Sequence, residues 1–362
     1  MKTSQNWFIL FILGCIFAGN AHAQTIANIQ ERLDKIDSTI TTMVPGIEPG
    51  LSIAITSGDQ IVFERHFGFA NIPEKEILEA SHVLGIASMS KQFTGMAILF
   101  LEQEGKLELD DFISEYFPEL PLDDRDITIT QLLSHTSGLP EITRNESFMD
   151  SISQRHTIWE IISLAFEGDF TSEPGMEWRY CNTGYTISAA LIEKVSGVGF
   201  SEYLNEKIFQ PIGMFDTYAC DYHTDAENAV QRYFPDSAGF KDATLMHFSN
   251  LIGGGGIVSN VHDMAKWGMA LISGDGLPDN YKKIWQSNSL NSGEETGYGL
   301  GLGINSIKDK TYYYHPGMGD GMNAVNLIFL EDEISITVIR NVSSPKVNSI
   351  QVALMAAEYL LF

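Results

Sequence analysis

The stretch Gly85-Ile86-Ala87-Ser88-Met89-Ser90-Lys91-Gln92-Phe93 joins a strand-like, glycine-containing approach to a helical pattern that continues to Glu104. This junction places the Ser88 hydroxyl at a helix N-terminus, an electropositive position that favours an alkoxide and a developing oxyanion. Lys91 lies three residues on, one turn along the same face, within reach of the Ser88 oxygen. To accept a proton at neutral pH its pKa must be lowered by burial or by neighbouring cations. Alone the motif is weak, because serine commonly caps helices and a lysine one turn on is commonly solvated. The chain repeats the spacing at Ser343-Ser344-Pro345-Lys346, so order and flanking residues must carry the argument.

Two further stretches follow in order. Tyr180-Cys181-Asn182 comes after the turn Glu173-Pro174-Gly175 and Trp178, just before a helix expected from Thr183. A phenol there can relay protons between nucleophile and leaving group, and the Asn182 amide can hold either a substrate carbonyl or the Lys91 ammonium. The plain alternative is a turn in which Asn182 caps the helix and Tyr180 packs, and Tyr203-Leu204-Asn205 has the same spacing. Cys181 between them has no dedicated base in the sequence and reads as a small buried hydrophobe. His315-Pro316-Gly317 closes the run Thr311-Tyr312-Tyr313-Tyr314 and leads into Met318-Gly319. Glycines there let a substrate lie close to a strand edge and let an exposed N–H face an oxyanion. The plain reading is a strand ending at an exposed His315 and closing in a glycine turn.

Composition limits the function classes. The 362 residues are 44% hydrophobic and 19% charged, an ordinary globular balance. A formal net charge of −25 repels phosphate backbones and anionic membranes, so nucleic acid is not an expected partner. Nine histidines are scattered without ligand spacing, and neither Cys-x-x-Cys nor His-Glu-x-x-His occurs. No metal and no cofactor are therefore expected. At the N-terminus, Lys2, the apolar run Trp7 to Phe17 and Ala21-His22-Ala23 read as a signal peptide over 1–23, cleaved before Gln24. A lipoprotein signal at Cys15 is the weaker alternative, since Ile16 and Phe17 follow it instead of a polar tether. The run is shorter than a membrane span, and no stable span is expected elsewhere. The mature protein is expected to be periplasmic or secreted, with Cys181 and Cys220 its remaining cysteines. An exported chain permits a disulfide between them.

Periodicity then suggests a fold. Ile26, Ile29, Leu33, Ile36 and Ile40 form a helical stripe, and Leu51–Thr56 with Ile61–Phe67 form a hairpin. Gly299–Ile304, Thr311–His315, Asn323–Leu330 and Ile334–Arg340 are β-rich, and Val347–Leu361 reads as a closing helix. Helical patterns dominate between: Gln92–Glu104, Ile127–Leu133, Ile158–Phe166, Thr183–Val195 and Phe200–Ile208. The expected class is α+β, an antiparallel sheet built from both chain ends and flanked by N- and C-terminal helices, plus a mainly helical subdomain. Within one domain at 24–362, residues 24–84 and about 251–362 make the sheet part and about 85–250 the helical part. Residues 220–250 show little periodicity and are expected to form loops over the cleft.

These stretches in this order resemble the serine β-lactamase and penicillin-binding-protein superfamily, in particular its class C β-lactamase-like branch of esterases and D-peptidases. Supporting segments are Leu132-Leu133-Ser134-His135-Thr136-Ser137-Gly138-Leu139-Pro140, Pro211-Ile212-Gly213-Met214 and Gly253-Gly254-Gly255-Gly256-Ile257-Val258-Ser259. The resemblance implies that Ser88 is acylated, that Lys91 and Tyr180 exchange its proton, and that Asn182 orients substrate. It places the oxyanion hole at the backbone N–H groups of Ser88 and Met318, beside His315 and Gly317. His135 then looks structural, and the four glycines look like a core or cleft wall. In place of the Lys-Thr-Gly of β-lactamases, whose lysine and hydroxyl help hold a carboxylate, the chain has His315-Pro316-Gly317, and Pro316 removes both the hydroxyl and one backbone N–H. The implied activity is an exported serine hydrolase of esters or amides acting on a small-molecule or peptide substrate. The alternatives are a D,D-carboxypeptidase or D-stereospecific peptidase, a weak β-lactamase, or a catalytically silent binding protein on the same scaffold. An α/β-hydrolase is disfavoured because no Gly-x-Ser-x-Gly elbow occurs.

Overall fold

The computed structural model describes residues 29–362 except 46–47, 224–225, 227–228, 238, 244–245 and 345. The signal-peptide and Cys15 readings lie outside the described residues. The framework is a six-stranded antiparallel sheet of β1 (Leu51–Ser57), β2 (Gln60–Phe67), β3 (Gly303–Ile307), β4 (Lys310–Gly319), β5 (Met322–Phe329) and β6 (Ile334–Arg340). Their spatial order is β3-β4-β5-β6-β1-β2. The two chain ends meet where β1 pairs with β6, Leu51 opposite Arg340 and Ser57 opposite Ile334. Both faces of the central strands are covered, so their apolar residues divide by parity. Leu51, Ile53, Ile55, Val325, Leu327, Phe329, Ile336 and Val338 pack on one face, under Leu33, Ile36 and Ile40 of α1 (29–43) and Val352, Ala353 and Ala356 of α5 (Ser349–Leu361). Ala54, Ala324, Ile328 and Ile339 face the other way, into a core with Met264 and Trp267 of α4 (Val261–Ser273) and Phe93 and Met96 of α2 (Lys91–Gln103).

Between the β2 and β3 segments the chain is mostly helical. α2 and α3 (Asn182–Ser196) are almost wholly buried. The helix at Ile129–Leu133 starts later than the sequence pattern suggests, because Thr128 and Gln131 close a capping box there. A small three-stranded sheet orders Leu84–Gly85, Ile257–Ser259 and Tyr218–Ala219. It clamps the entry to α2 beside the glycine run, with Ile86 N–H donating to Ile257 O at 3.0 Å. Residues 220–250 contain a hairpin of Tyr233–Asp236 and Gly239–Asp242. Cys181 and Cys220 are both buried and no disulfide joins them, so the bridge permitted by the sequence does not form. Among the described residues no helix is long and apolar enough to cross a membrane.

The most consequential difference from the sequence reading concerns β4. Pro316 and Gly317 read as a turn, yet the strand runs to Gly319 and turns at Asp320-Gly321. Proline is tolerated on a strand edge, and β3 pairing stops at Gly303 opposite Tyr314, so residues 315–319 have lost that neighbour. His315, which only the plain reading of this stretch leaves exposed, is 2% exposed.

Candidate functional site

The site is assembled on the turn before α2. Residues Ala87–Ser90 form a 3-10 turn entered through Ala87 at φ +47°, a left-handed conformation that is costly for a residue with a Cβ. Ser90 is buried and structural: its hydroxyl donates to Ala87 O at 2.7 Å and accepts from Ile257 N–H at 3.2 Å. Ser88 instead points outward, onto a cavity of about 510 Å³ that it lines with Trp178, Tyr180, Tyr298, Tyr314, His315 and Met318. The two serines of Ser88-Met89-Ser90 are thereby separated into a surface-facing hydroxyl and a framework one.

Lys91 is fully buried. Its ammonium nitrogen is 3.3 Å from Ser88 Oγ, 2.9 Å from Asn182 Oδ1 and 2.7 Å from Gly254 O, and it lies 4.8 Å above the Tyr180 ring and 5.1 Å above the Tyr185 ring. Loss of water on burial pulls its pKa down to about 7, against the opposing influence of Glu141 and Cys181. At Gly254 a Cβ would stand 3.1 Å from Lys91 Nζ, a tight contact that the ammonium would have to yield to. The glycine run that read as a cleft wall therefore supplies a direct acceptor to the lysine.

Tyr180 and Asn182 arrive at the N-terminus of α3. Burial pushes the Tyr180 phenol above the ordinary tyrosine range, with its hydrogen bond to Ser88 acting the other way. Tyr180 stays protonated at neutral pH, whereas Lys91 titrates there. Both ends of the Asn182 side chain are engaged: Oδ1 accepts from Lys91, and Nδ2 donates to Glu141 Oε1 at 2.9 Å. Cys181 is buried beneath them, its thiol pushed up to about 12 by burial, which leaves it un-ionised.

His315, Gly317 and Met318 lie along the free edge of β4. Burial, then the nearby Lys91, hold the His315 imidazole down to about 3, so it is neutral, and its Nδ1–H donates to Pro316 O at 2.7 Å. Nε2 is left as an acceptor. At Gly317 a Cβ would come within 2.0 Å of Ile86 O, so glycine is what lets β4 pass the Ser88 turn. Met318 is 72% exposed at the cavity mouth.

Two residues outside the expected set belong to this neighbourhood. His135, at φ +63°, stacks on Tyr180 with ring centroids 4.3 Å apart and accepts from Cys181 N–H at 3.1 Å through Nδ1. Glu141 holds Asn182. Neither has a sequence signal beyond its place in the segment Leu132 to Pro140 and just after it. Of the other stretches with the same spacings, Ser343 Oγ donates to Gly319 O at 2.6 Å, and the Tyr203 ring lies beneath Lys207.

A family model described as Beta-lactamase matches residues 36–358. The chain is 28% identical over 335 residues to penicillin-binding protein 4* of Bacillus subtilis (strain 168), an alignment covering 86% of this chain and 72% of that protein. It is 25% identical over 335 residues to protein flp of Staphylococcus aureus (strain N315), covering 87% of this chain and 64%, less than two thirds, of that relative. Among solved structures it resembles the octameric penicillin-binding protein homologue from Pyrococcus abyssi, with 28% identity, 91% and 77% coverage and a TM-score of 0.76. It also resembles D-amino acid amidase from Ochrobactrum anthropi SV3, with 25% identity, 92% and 98% coverage and a TM-score of 0.78. The match over nearly the whole described chain assigns this protein to the Beta-lactamase family, as a serine hydrolase related to penicillin-binding proteins.

Proposed function

We propose that this chain hydrolyses an ester or amide through an acyl-enzyme on Ser88. The observation that carries the proposal is the buried Lys91, poised near pH 7 and touching the Ser88 hydroxyl. Neutral Lys91 takes the Ser88 proton as Oγ attacks the carbonyl carbon, and the proton reaches the leaving group through the Tyr180 phenol. The carbonyl oxygen, now an oxyanion, is received by the backbone N–H groups of Ser88 and Met318. A water molecule then cleaves the ester by the reverse relay. Asn182 holds Lys91, while His315 and Gly317 shape the edge along which substrate lies. In this reading the site sits where the sheet part (24–84 and about 251–362) meets the helical part (about 85–250).

The cavity favours an acyl group without a carboxylate. Among the described residues its lining includes Trp178, Tyr180, Tyr298 and Tyr314 and no lysine or arginine, and His315 is neutral. Arg179, adjacent in sequence, is engaged by Glu177 at 2.6 Å. Among the described residues, a carboxylated β-lactam or a peptide ending in a free carboxylate meets no lysine or arginine on the cavity wall, Lys91 lying buried behind Ser88. The free edge of β4 supports a second reading, a D-stereospecific amidase or peptidase, because an extended amide can pair with unpaired strand groups. Cleavage of D- but not L-phenylalanine amide would select it. Export through residues 1–23 to the periplasm or medium belongs to the same proposal and is checked by N-terminal sequencing of secreted protein.

The deciding experiment is intact mass after mixing with p-nitrophenyl phenylacetate and, separately, with benzylpenicillin, for wild type and Ser88→Ala. A phenylacetyl adduct or turnover that disappears in Ser88→Ala is the expected result. Unchanged turnover in the variant would sink the proposal, and a folded wild type inert to every acyl donor would favour a silent scaffold.

A further inference from the structure

Asn182 meets one carboxylate with two of its four polar groups. Its backbone N–H donates to Glu141 Oε2 at 2.5 Å, and Nδ2 donates to Glu141 Oε1 at 2.9 Å. Cys181, at the cap position of α3, makes no side-chain cap bond, so Glu141 caps this helix from a segment 41 residues earlier. The carboxylate is itself fixed, since Thr143 donates to Oε1 through its hydroxyl at 2.7 Å and its backbone N–H at 3.2 Å. An ionised carboxylate has no hydrogen to give, so only the NH₂ end of Asn182 can face it. The oxygen end is thereby turned to Lys91, which donates to it at 2.9 Å. We propose that Glu141 is a positioning residue of the hydrolytic site: it orients the Asn182 amide and, through that amide, holds Lys91 against Ser88. The inference rests on Lys91 acting as the base for Ser88.

Charge follows from the same geometry. Facing Lys91 are the Ser88 hydroxyl, the Gly254 carbonyl, Asn182, the rings of Tyr180 and Tyr185, the Cys181 thiol, and the imidazoles of His135 and His315. Burial keeps both imidazoles and the thiol uncharged at neutral pH. Glu141 is then the anion that favours the ammonium, opposing the burial that disfavours it. In Glu141→Gln that anion is gone, and a Gln NH₂ in the place of Oε1 opposes the Asn182 NH₂. One hydrogen bond is lost or Asn182 flips, and a flipped Asn182 offers Lys91 a donor instead of an acceptor.

The test is the pH profile of kcat and kcat/KM for p-nitrophenyl phenylacetate in wild type, Glu141→Gln and Glu141→Asp, with thermal midpoints measured in parallel. Glu141→Gln is expected to lower kcat about tenfold or more with KM within about twofold, and to move the acid limb of kcat/KM down by roughly half to one pH unit. Glu141→Asp keeps the charge on a shorter arm, so its limb stays while kcat falls. If Glu141→Gln does not fold, Glu141→Asp decides. A displaced limb in the Asp variant overturns the inference, as does a folded Gln variant with wild-type kcat and limb. A wild type that is never acylated at Ser88 overturns the underlying reading instead, and that result is seen before any variant is compared.

Discussion

Lys91 is costly to the folded chain because it is fully buried. An unfolded lysine holds its proton up to about 10.5, while the folded one releases it near 7, so between these values the unfolded state binds more protons. Stability therefore rises as pH climbs through that window, and below it the whole penalty is present. Lys91→Met is expected to raise the thermal midpoint at pH 6, with an advantage that shrinks toward pH 10, and to lower kcat by about 10² to 10⁴. Calorimetry and turnover across pH check both, and a variant less stable than wild type at pH 6 would contradict the assignment of strain to this side chain. His315 behaves in the opposite pH range. Its folded form stays neutral down to about 3 while the unfolded imidazole charges near 6.5, so stability is lost as pH falls from about 6.5 toward 3. Burial pushes His135 the same way. His315→Gln should flatten that acid-side slope in urea denaturation, and an unaltered slope would place the charging elsewhere.

At the scale of elements, the approach of β4 to the 3-10 turn governs the shape of the cleft. Gly317→Ala would force a Cβ against Ile86 O, and backbone on that side cannot yield without moving Ser88. We expect a stability loss of about 1–3 kcal/mol and a fall in acylation of at least about tenfold, read by urea midpoint and by burst kinetics. Full activity in Gly317→Ala would mean that strand and turn can separate freely. The reading of His315-Pro316-Gly317 as a strand end illustrates how local composition misleads. Proline and glycine usually punctuate, but here one sits where the neighbouring strand has ended and the other where backbone must pass close to backbone. The helical patterns fared better. α2 and α3 begin within one residue of their expected starts, because a long apolar pattern survives whatever it packs against.

Across the whole molecule, sheet and helices are tied by a buried polar junction. Gln92 on α2 donates to Asn326 on β5 at 2.8 Å and accepts from it at 2.9 Å, and Trp267 on α4 donates to the same Gln92 oxygen at 3.0 Å. All three side chains are buried, so Gln92→Ala would strand two partners without water. A loss of about 2–4 kcal/mol is expected in chemical denaturation, and a loss below about 0.5 kcal/mol would show that the junction relaxes or admits water. The sequence by itself determined the α+β class, the pairing of the two chain ends and the family, because strand parity, helical period and ordered motifs are written in neighbouring residues. Tertiary structure alone decided that Lys91 is dry enough to titrate near 7, that His315 is buried and neutral, and that Gly254 and Glu141 reach the site. Burial and long-range pairing depend on residues far apart in the chain, and no local pattern encodes which of them will meet.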